Sequence, residues 1–199
     1  WRKPTQIMRV SEKHGLDGDE LVRSSRLIHR VEDNCIQDSF KNYMEYFIVS
    51  DQGEWVTIDQ GLNVDSRRAR RYHAHSPSVR SFVSDPHAAI IGSKGKPILN
   101  LADARVTDTQ NNIVQMVNDA PGEVVDACRH IDFGDYHHIK NSDVDLKRLG
   151  AVLAMAHGQA IDSFESLVDL KNVGPATLRS LALASELIFG TSARVEDPA

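Results

Sequence analysis

The sequence predicts an α+β protein: helices at the N-terminus, then a small mixed β-sheet, then a helical module that closes the chain. Three observations carry this reading. Apolar residues recur at helical spacing before residue 32, alternate in strand fashion between Tyr43 and Leu101, and return to helical spacing after Asp103.

Pro4 and Thr5 open a first helix over 4–14, and Gly15 closes it at a position that favours left-handed dihedrals. A second helix runs from about Asp19 to Val31. It buries Leu21, Val22, Ile28 and Val31, while Arg23, Arg26 and Arg30 line another stripe that reads as a solvated face. Tyr43–Val49, the turn Ser50–Gly53 and Glu54–Ile58 form a β-hairpin. Further strands are expected at 70–75, 88–91 and 97–101, with 92–95 as the turn between the last two, giving a mixed sheet of four or five strands. Val106, Ile113, Val114 and Val117 share one helical face, a short helix follows at 122–130, and another runs from Asp143 to about His157 behind the capping pair Ser142 and Asp145. These elements divide into an α+β unit over 1–141, a helical module over 142–190 and a truncated tail over 191–199.

At 199 residues and 41% hydrophobic composition the chain can fill a core, and no apolar run reaches the roughly 18 residues of a membrane span. A soluble, cytoplasmic protein is expected. The start at Trp1 suggests a processed product or an excised piece. Cys35 and Cys128 lie far apart outside any CxxC spacing, so they read as buried thiols. A net charge of −5 argues against a broadly basic surface, so any nucleic-acid contact must be local.

The most informative stretch lies near the end. Asp162, with Glu165 three residues on, caps a short helix carrying Phe164, Leu167 and Val168. Lys171-Asn172-Val173-Gly174-Pro175-Ala176-Thr177 then places a small hydrophobe between two residues able to take positive φ, with Pro175 opening a second helix that continues to Phe189. Such a turn aims unpaired backbone N–H groups, at the positive end of a helix dipole, toward one phosphate oxygen. Because the donors are backbone groups, the element works in an acidic protein, with Lys171 and Arg179 adding charge nearby. The string resembles the helix-hairpin-helix of DNA repair and replication proteins, with Asn172 at the usual first glycine. An ordinary helical hairpin is the alternative. The expected contacts to DNA, duplex or branched, are Lys171, Asn172, Val173, Gly174, Ala176, Thr177 and Arg179. Arg67, Arg68, Arg70 and Arg71 form a dense basic patch that would supply a second foothold, since one hairpin alone binds weakly.

Beyond the hairpin, the strings Ile36–Phe40, Asp59–Asn63, Ala69–His73, Ser81–Ala88, Tyr136–His138 and Asp145–Gly150 resemble an uncharacterised prokaryotic and archaeal family, domain of unknown function 763. The resemblance spans nearly the whole chain and implies a helix-hairpin-helix protein that handles DNA. Ala74 stands where that family tends to have tryptophan.

These strings are rich in polar residues that a bland sheet does not require. A nuclease needs carboxylates or histidines around a divalent metal, Mg²⁺ or Mn²⁺, and an acid or base for the water and leaving oxygen. Asp38, His73, Asp85, His87, His137 and His138 are the candidates for catalysis, with Asp38, Asp85 and His87 as metal ligands; surface polar residues and satisfied sheet histidines are the alternative. His138-Ile139-Lys140 followed by Asp145 matches the phospholipase-D-type spacing, but in a single copy. Asp197, after the hairpin, matches the position of the catalytic aspartate in helix-hairpin-helix glycosylases, although no catalytic lysine stands in the second helix. The expectation is a DNA-backbone-binding protein of repair or recombination type, a metal-dependent nuclease. A non-catalytic DNA-binding module and a glycosylase are the alternatives.

Overall fold

The computed structural model describes residues 3–119, 121–130, 145–159 and 161–199. Helix α1 (Lys3–His14) stops at Gly15, whose φ of +68° is free of strain only for glycine. Helix α2 (Gly18–Cys35) begins behind Asp17, whose carboxylate accepts the Glu20 N–H at 3.0 Å, and runs past Val31 directly into β1 (Ile36–Gln37).

Strands β2 (Lys41–Val49), β3 (Trp55–Asn63), β4 (Arg68–His75) and β5 (Ala89–Ile91) form an antiparallel sheet in that order. β6 (Ile98–Asn100) does not return to β5 through the 92–95 turn. It pairs instead with β1 and with β7 (Arg194–Val195), so two antiparallel sheets replace the single mixed sheet expected. The reason lies in where the backbone groups go. Leu101 N–H donates to Cys35 O, Asn100 N–H to Ala193 O, and Gly95 N–H to the Asp197 carboxylate, so the end of α2 and the C-terminal segment take up this stretch.

A 3-10 turn (Ala104–Val106) leads into α3 (Thr107–Asn118), followed by α4 (Pro121–His130), α5 (Leu146–Ala156), α6 (Phe164–Asp169) and α7 (Pro175–Phe189). Asp145 caps α5, while Ser142 lies outside the described residues. The cap of α6 is Ser163 with Ser166, one residue beyond the expected pair, because Glu165 is drawn away to Arg23 of α2. The core is continuous, with Leu27, Ile28 and Val31 of α2, Ile113 of α3, Leu149 and Leu153 of α5 and Leu178 and Leu181 of α7 all fully buried.

The arginine stripe of α2 is no solvated face. Arg23 pairs with Glu165, and Arg26 grips Asp169 with two bonds of 2.8 Å. Arg30 donates to the carbonyls of Val168 at 2.6 Å, Val173 at 2.8 Å and Leu170. Val168 lies in the last turn of α6 and Leu170 and Val173 in the bend that follows, so the guanidinium meets the negative end of that helix in both charge and hydrogen bonding. Arg30→Ala is expected to cost about 1–3 kcal/mol in denaturant unfolding, with Lys restoring only part, because one ammonium cannot serve three carbonyls in a fixed fork. Among the described residues, no helix is long and apolar enough to cross a membrane.

Candidate metal centre

Strand alternation turns Trp55, Thr57, Asp59 and Gly61 of β3 inward, and the third of these is a fully buried carboxylate. Opposite it, α2 presents His29 and Glu32, three residues apart on one helix face and both buried. His29 Nδ1 lies 2.6 Å from Asp59 Oδ2 and 4.0 Å from Glu32 Oε2, and the ligand atoms of the three side chains all fall within 4.8 Å of one another. His29 Nδ1, Glu32 Oε2 and both Asp59 oxygens are buried without a hydrogen-bond partner among the described residues. Two carboxylates left this way are costly to bury, and a shared cation removes the cost. Ligand atoms held 2.0–2.2 Å from one ion stand about 3–4.4 Å apart, so the cluster needs only a small adjustment to close around one.

A second ring of groups holds the ligands. His87 Nε2 is 3.0 Å from Glu32 Oε1, and Glu45 Oε2 is 3.3 Å from His29 Nε2. Lys3 Nζ sits 3.1 Å from Glu45 and also meets His29 Nε2. Burial, then the Asp59 carboxylate close enough to share a proton with it, then the charges of Asp59, Asp33 and Glu45, push Glu32 well above the usual carboxylate range, so without an ion a shared proton is what eases the two carboxylates. Burial lowers His87 to about 4, so its imidazole is neutral near pH 7. Of the three side chains, His29 lines a cleft of about 380 Å³ together with Glu45, Arg26, Arg30 and Lys171, whereas Glu32 and Asp59 do not reach its wall. Lys171, from the turn between α6 and α7, therefore faces the same space as His29.

A family described as protein of unknown function (DUF763) matches over residues 1–199. The chain belongs to that family. No curated protein and no solved structure matches it.

In this DUF763 chain the ligands expected at Asp38, Asp85 and His87 do not come together. Asp38 is claimed by Arg70, whose Nη1 donates to Asp38 Oδ2 at 2.8 Å, and by the Tyr72 hydroxyl. Asp85 is exposed at a φ of +46°. His73 pairs with Ile58 and Ala89 in the sheet register, one residue out of phase with inward-facing Tyr72, so it lies on the opposite face from the cluster. His137 and His138 fall outside the described residues. Among the described candidates only His87 reaches the cluster, with the Tyr72 ring tilted against its own at 5.8 Å.

The four arginines also separate. Arg67, Arg68 and Arg71 are exposed, Arg71 leaning on Gln60 at 2.9 Å. Arg70 is turned into the protein, where Nη2 donates to Asp197 at 2.7 Å and to Ser93 O at 2.9 Å while the guanidinium lies 4.5 Å over the Phe40 ring. Asp197 is thus part of a buried ion triad, not a free carboxylate. Burial alone would raise it, but the Arg70 bond and the N–H groups of Ala199 and Gly95 together hold it below its usual value. A carboxylate depressed on folding contributes stability that is present above its ordinary pKa of about 3.9 and lost as the pH falls through the folded value. Melting curves from pH 6 to pH 2.5 are expected to fall below about pH 4, and less steeply in Asp197→Asn.

In the turn Leu170–Gly174, Val173 is buried and its N–H closes the bend onto Leu170 O at 3.0 Å. Asn172 and Gly174 both keep negative φ, so the bend does not use the left-handed dihedrals expected of them. Arg30, pulling on the Leu170 and Val173 carbonyls, supplies the restraint. Lys171, Asn172, Ala176 and Arg179 are exposed and Thr177 is buried, with Arg179 bonded to Gln37 at 2.7 Å.

His29, Glu32 and Asp59 escaped the sequence reading. The available signal was a charged residue in the buried phase of a strand, together with a His-x-x-Glu pair on the apolar side of a helix.

Proposed function

We propose that this DUF763 chain is a cytoplasmic protein that binds the DNA backbone through the α6–α7 hairpin and hydrolyses phosphodiester bonds with a divalent cation, Mg²⁺ or Mn²⁺, held by His29, Glu32 and Asp59. The observation that carries this reading is the buried His29–Glu32–Asp59 cluster, unpartnered among the described residues, whose His29 lines a cleft shared with Lys171. A cation there would supply positive charge to a phosphoryl oxygen and acidify a water. The chain's own residues hold the scissile segment. Gly174 caps α7 without a side chain, so no side-chain oxygen takes the first-turn N–H groups, and that of exposed Ala176 is the one offered to a phosphate oxygen.

Gly174 supports the same reading by being unnecessary to the fold. Its φ is −120°, and a Cβ added there meets nothing within 4 Å. Its value lies in leaving the backbone bare for an approaching phosphate. Gly174→Ala is expected to weaken retention of duplex DNA at low salt by about tenfold, or roughly 1.4 kcal/mol, with an unchanged melting temperature. Equal retention removes the hairpin from the interface. Lys147 and Arg148 of α5 line a groove of about 430 Å³ with Asn172 and Thr177, and Arg67, Arg68 and Arg71 offer the second foothold.

The deciding experiment incubates labelled duplex, branched and single-stranded DNA with Mn²⁺, Mg²⁺ or EDTA. Strand breaks are expected only with metal, and Asp59→Asn is expected to reduce them at least about 100-fold while DNA binding persists. Metal-independent cleavage, or full activity in Asp59→Asn, overturns the proposal. The complete burial of Asp59 favours a second reading, a DNA-binding module with a structural ion, which predicts binding without any strand breaks.

A further inference from the structure

The geometry points to a borderline transition-metal ion, of the manganese, iron(II), cobalt or zinc class, as the occupant of the His29–Glu32–Asp59 centre in preference to magnesium, with Glu45 and His87 as its positioning residues. The inference rests on the metal-binding half of the reading above and is independent of DNA cleavage.

Donor chemistry comes first. One of the three ligand atoms is an imidazole nitrogen, which suits these ions, whereas magnesium favours oxygen and gives up its waters reluctantly. Asp59 is fully buried and Glu32 nearly so, which leaves little room beside them for the several waters that a magnesium ion retains.

The orientation of each ligand is the second argument. His29 Nδ1 and Asp59 Oδ2 approach to 2.6 Å, yet neither atom has a hydrogen-bond partner among the described residues: they are close without the alignment of an N–H donating to an oxygen. Together with Glu32, these side chains keep their ligand atoms within 4.8 Å of one another, close enough for one ion to take all three. On the other edge of the ring, Nε2 stands 3.3 Å from Glu45 and also takes the Lys3 ammonium, which can only donate, so an ion on Nδ1 requires Lys3 to draw back onto Glu45 and the ring proton to sit on Nε2. Glu32 is held in the same manner. His87 takes its Oε1 at 3.0 Å, leaving Oε2 unpartnered. A histidine ligand backed by a carboxylate, and a carboxylate ligand fixed by a neighbour, are the outer contacts by which proteins orient metal ligands and raise their affinity.

The test uses the whole chain stripped of metal. Calorimetric titration with MnCl₂, CoCl₂, ZnCl₂ and MgCl₂ is expected to show one transition-metal ion per chain, bound at least about 100-fold more tightly than magnesium, and the cobalt form is expected to show visible absorption from nitrogen and oxygen ligands. His29→Gln is expected to abolish the preference over magnesium. His87→Gln and Glu45→Gln are expected to lower affinity by about 10- to 100-fold while keeping one ion per chain. Asp59→Asn guards against misfolding as an explanation: it removes an unpartnered buried charge, so its metal-free form is expected to melt no lower than metal-free wild type and still to bind no ion. Magnesium binding as tightly as manganese, or tight binding that survives His29→Gln, overturns the inference. So does the absence of binding at millimolar metal in a chain that melts cooperatively. Tight manganese binding without DNA cleavage overturns the hydrolytic reading alone.

Discussion

Arg70→Met is expected to remove about 3–5 kcal/mol of folding stability, the largest effect of any single substitution outside the metal ligands. The guanidinium is 1% exposed, bridges Asp38 and Asp197, and lies over Phe40. Replacing it with an apolar group of similar length leaves two buried carboxylates unpaired, and that desolvation cost dominates the loss. The triad joins β4 to the segment after β1 and to the C-terminal stretch after β7, so its rupture is expected to free the C-terminal residues as well. Arg70→Lys is expected to recover only part, because one ammonium cannot hold the two-armed geometry. Adding Asp38→Asn and Asp197→Asn to Arg70→Met is expected to restore much of the stability, since neutral amides cost less to leave in place than charges. Urea unfolding of the series checks this, and a triple variant no better than the single one would show that packing, not orphaned charge, is the cause.

Chelation is expected to produce the second large effect. An ion that binds only the folded chain at about 100 times its dissociation constant adds roughly 2.7 kcal/mol, which for a chain of this size corresponds to about 5–10 °C in melting temperature. EDTA is expected to remove that increment from wild type and leave Asp59→Asn unmoved. The increment is also expected to grow with pH. In the metal-free chain Glu32 is raised by burial and by its carboxylate neighbours, so the folded state holds a proton that the unfolded state releases above its ordinary pKa. Metal-free stability therefore declines through this group as the pH rises, whereas an ion that holds the ionised carboxylate removes the decline. His87 acts in the opposite sense. Its folded value of about 4 lies below the ordinary imidazole value of about 6.5, so its contribution is lost as the pH falls through that interval. Melting with and without EDTA at pH 5.5 and 8 separates the two.

Local pattern made much of this chain legible. The helical spacing around Leu21, Ile28 and Val31, the hairpin at Ser50–Gly53 and the glycine stop at Gly15 depend on neighbours in sequence, and each appears in the structure. The α+β class follows from those elements. Readings that depended on distant partners fared differently. The α2 arginines looked like a wet face because nothing nearby in sequence opposes them; their partners are Glu165, Asp169 and the end of α6. Arg70 looked like its three exposed neighbours, and strand alternation alone could not say that Asp38 and Asp197 would be waiting on its side of the sheet.

The metal centre shows the same division. His29 and Glu32 are one helical turn apart, so the sequence by itself determined that they share a face. It also determined that Asp59 shares a strand face with Trp55 and Thr57. Only the tertiary structure decided that the two faces meet, that Glu45 and His87 orient the ligands, and that Asp38 is spent on Arg70. Periodicity is a local property of the backbone, whereas a metal site or a buried ion pair is a convergence of side chains from separate elements, fixed only when the core packs.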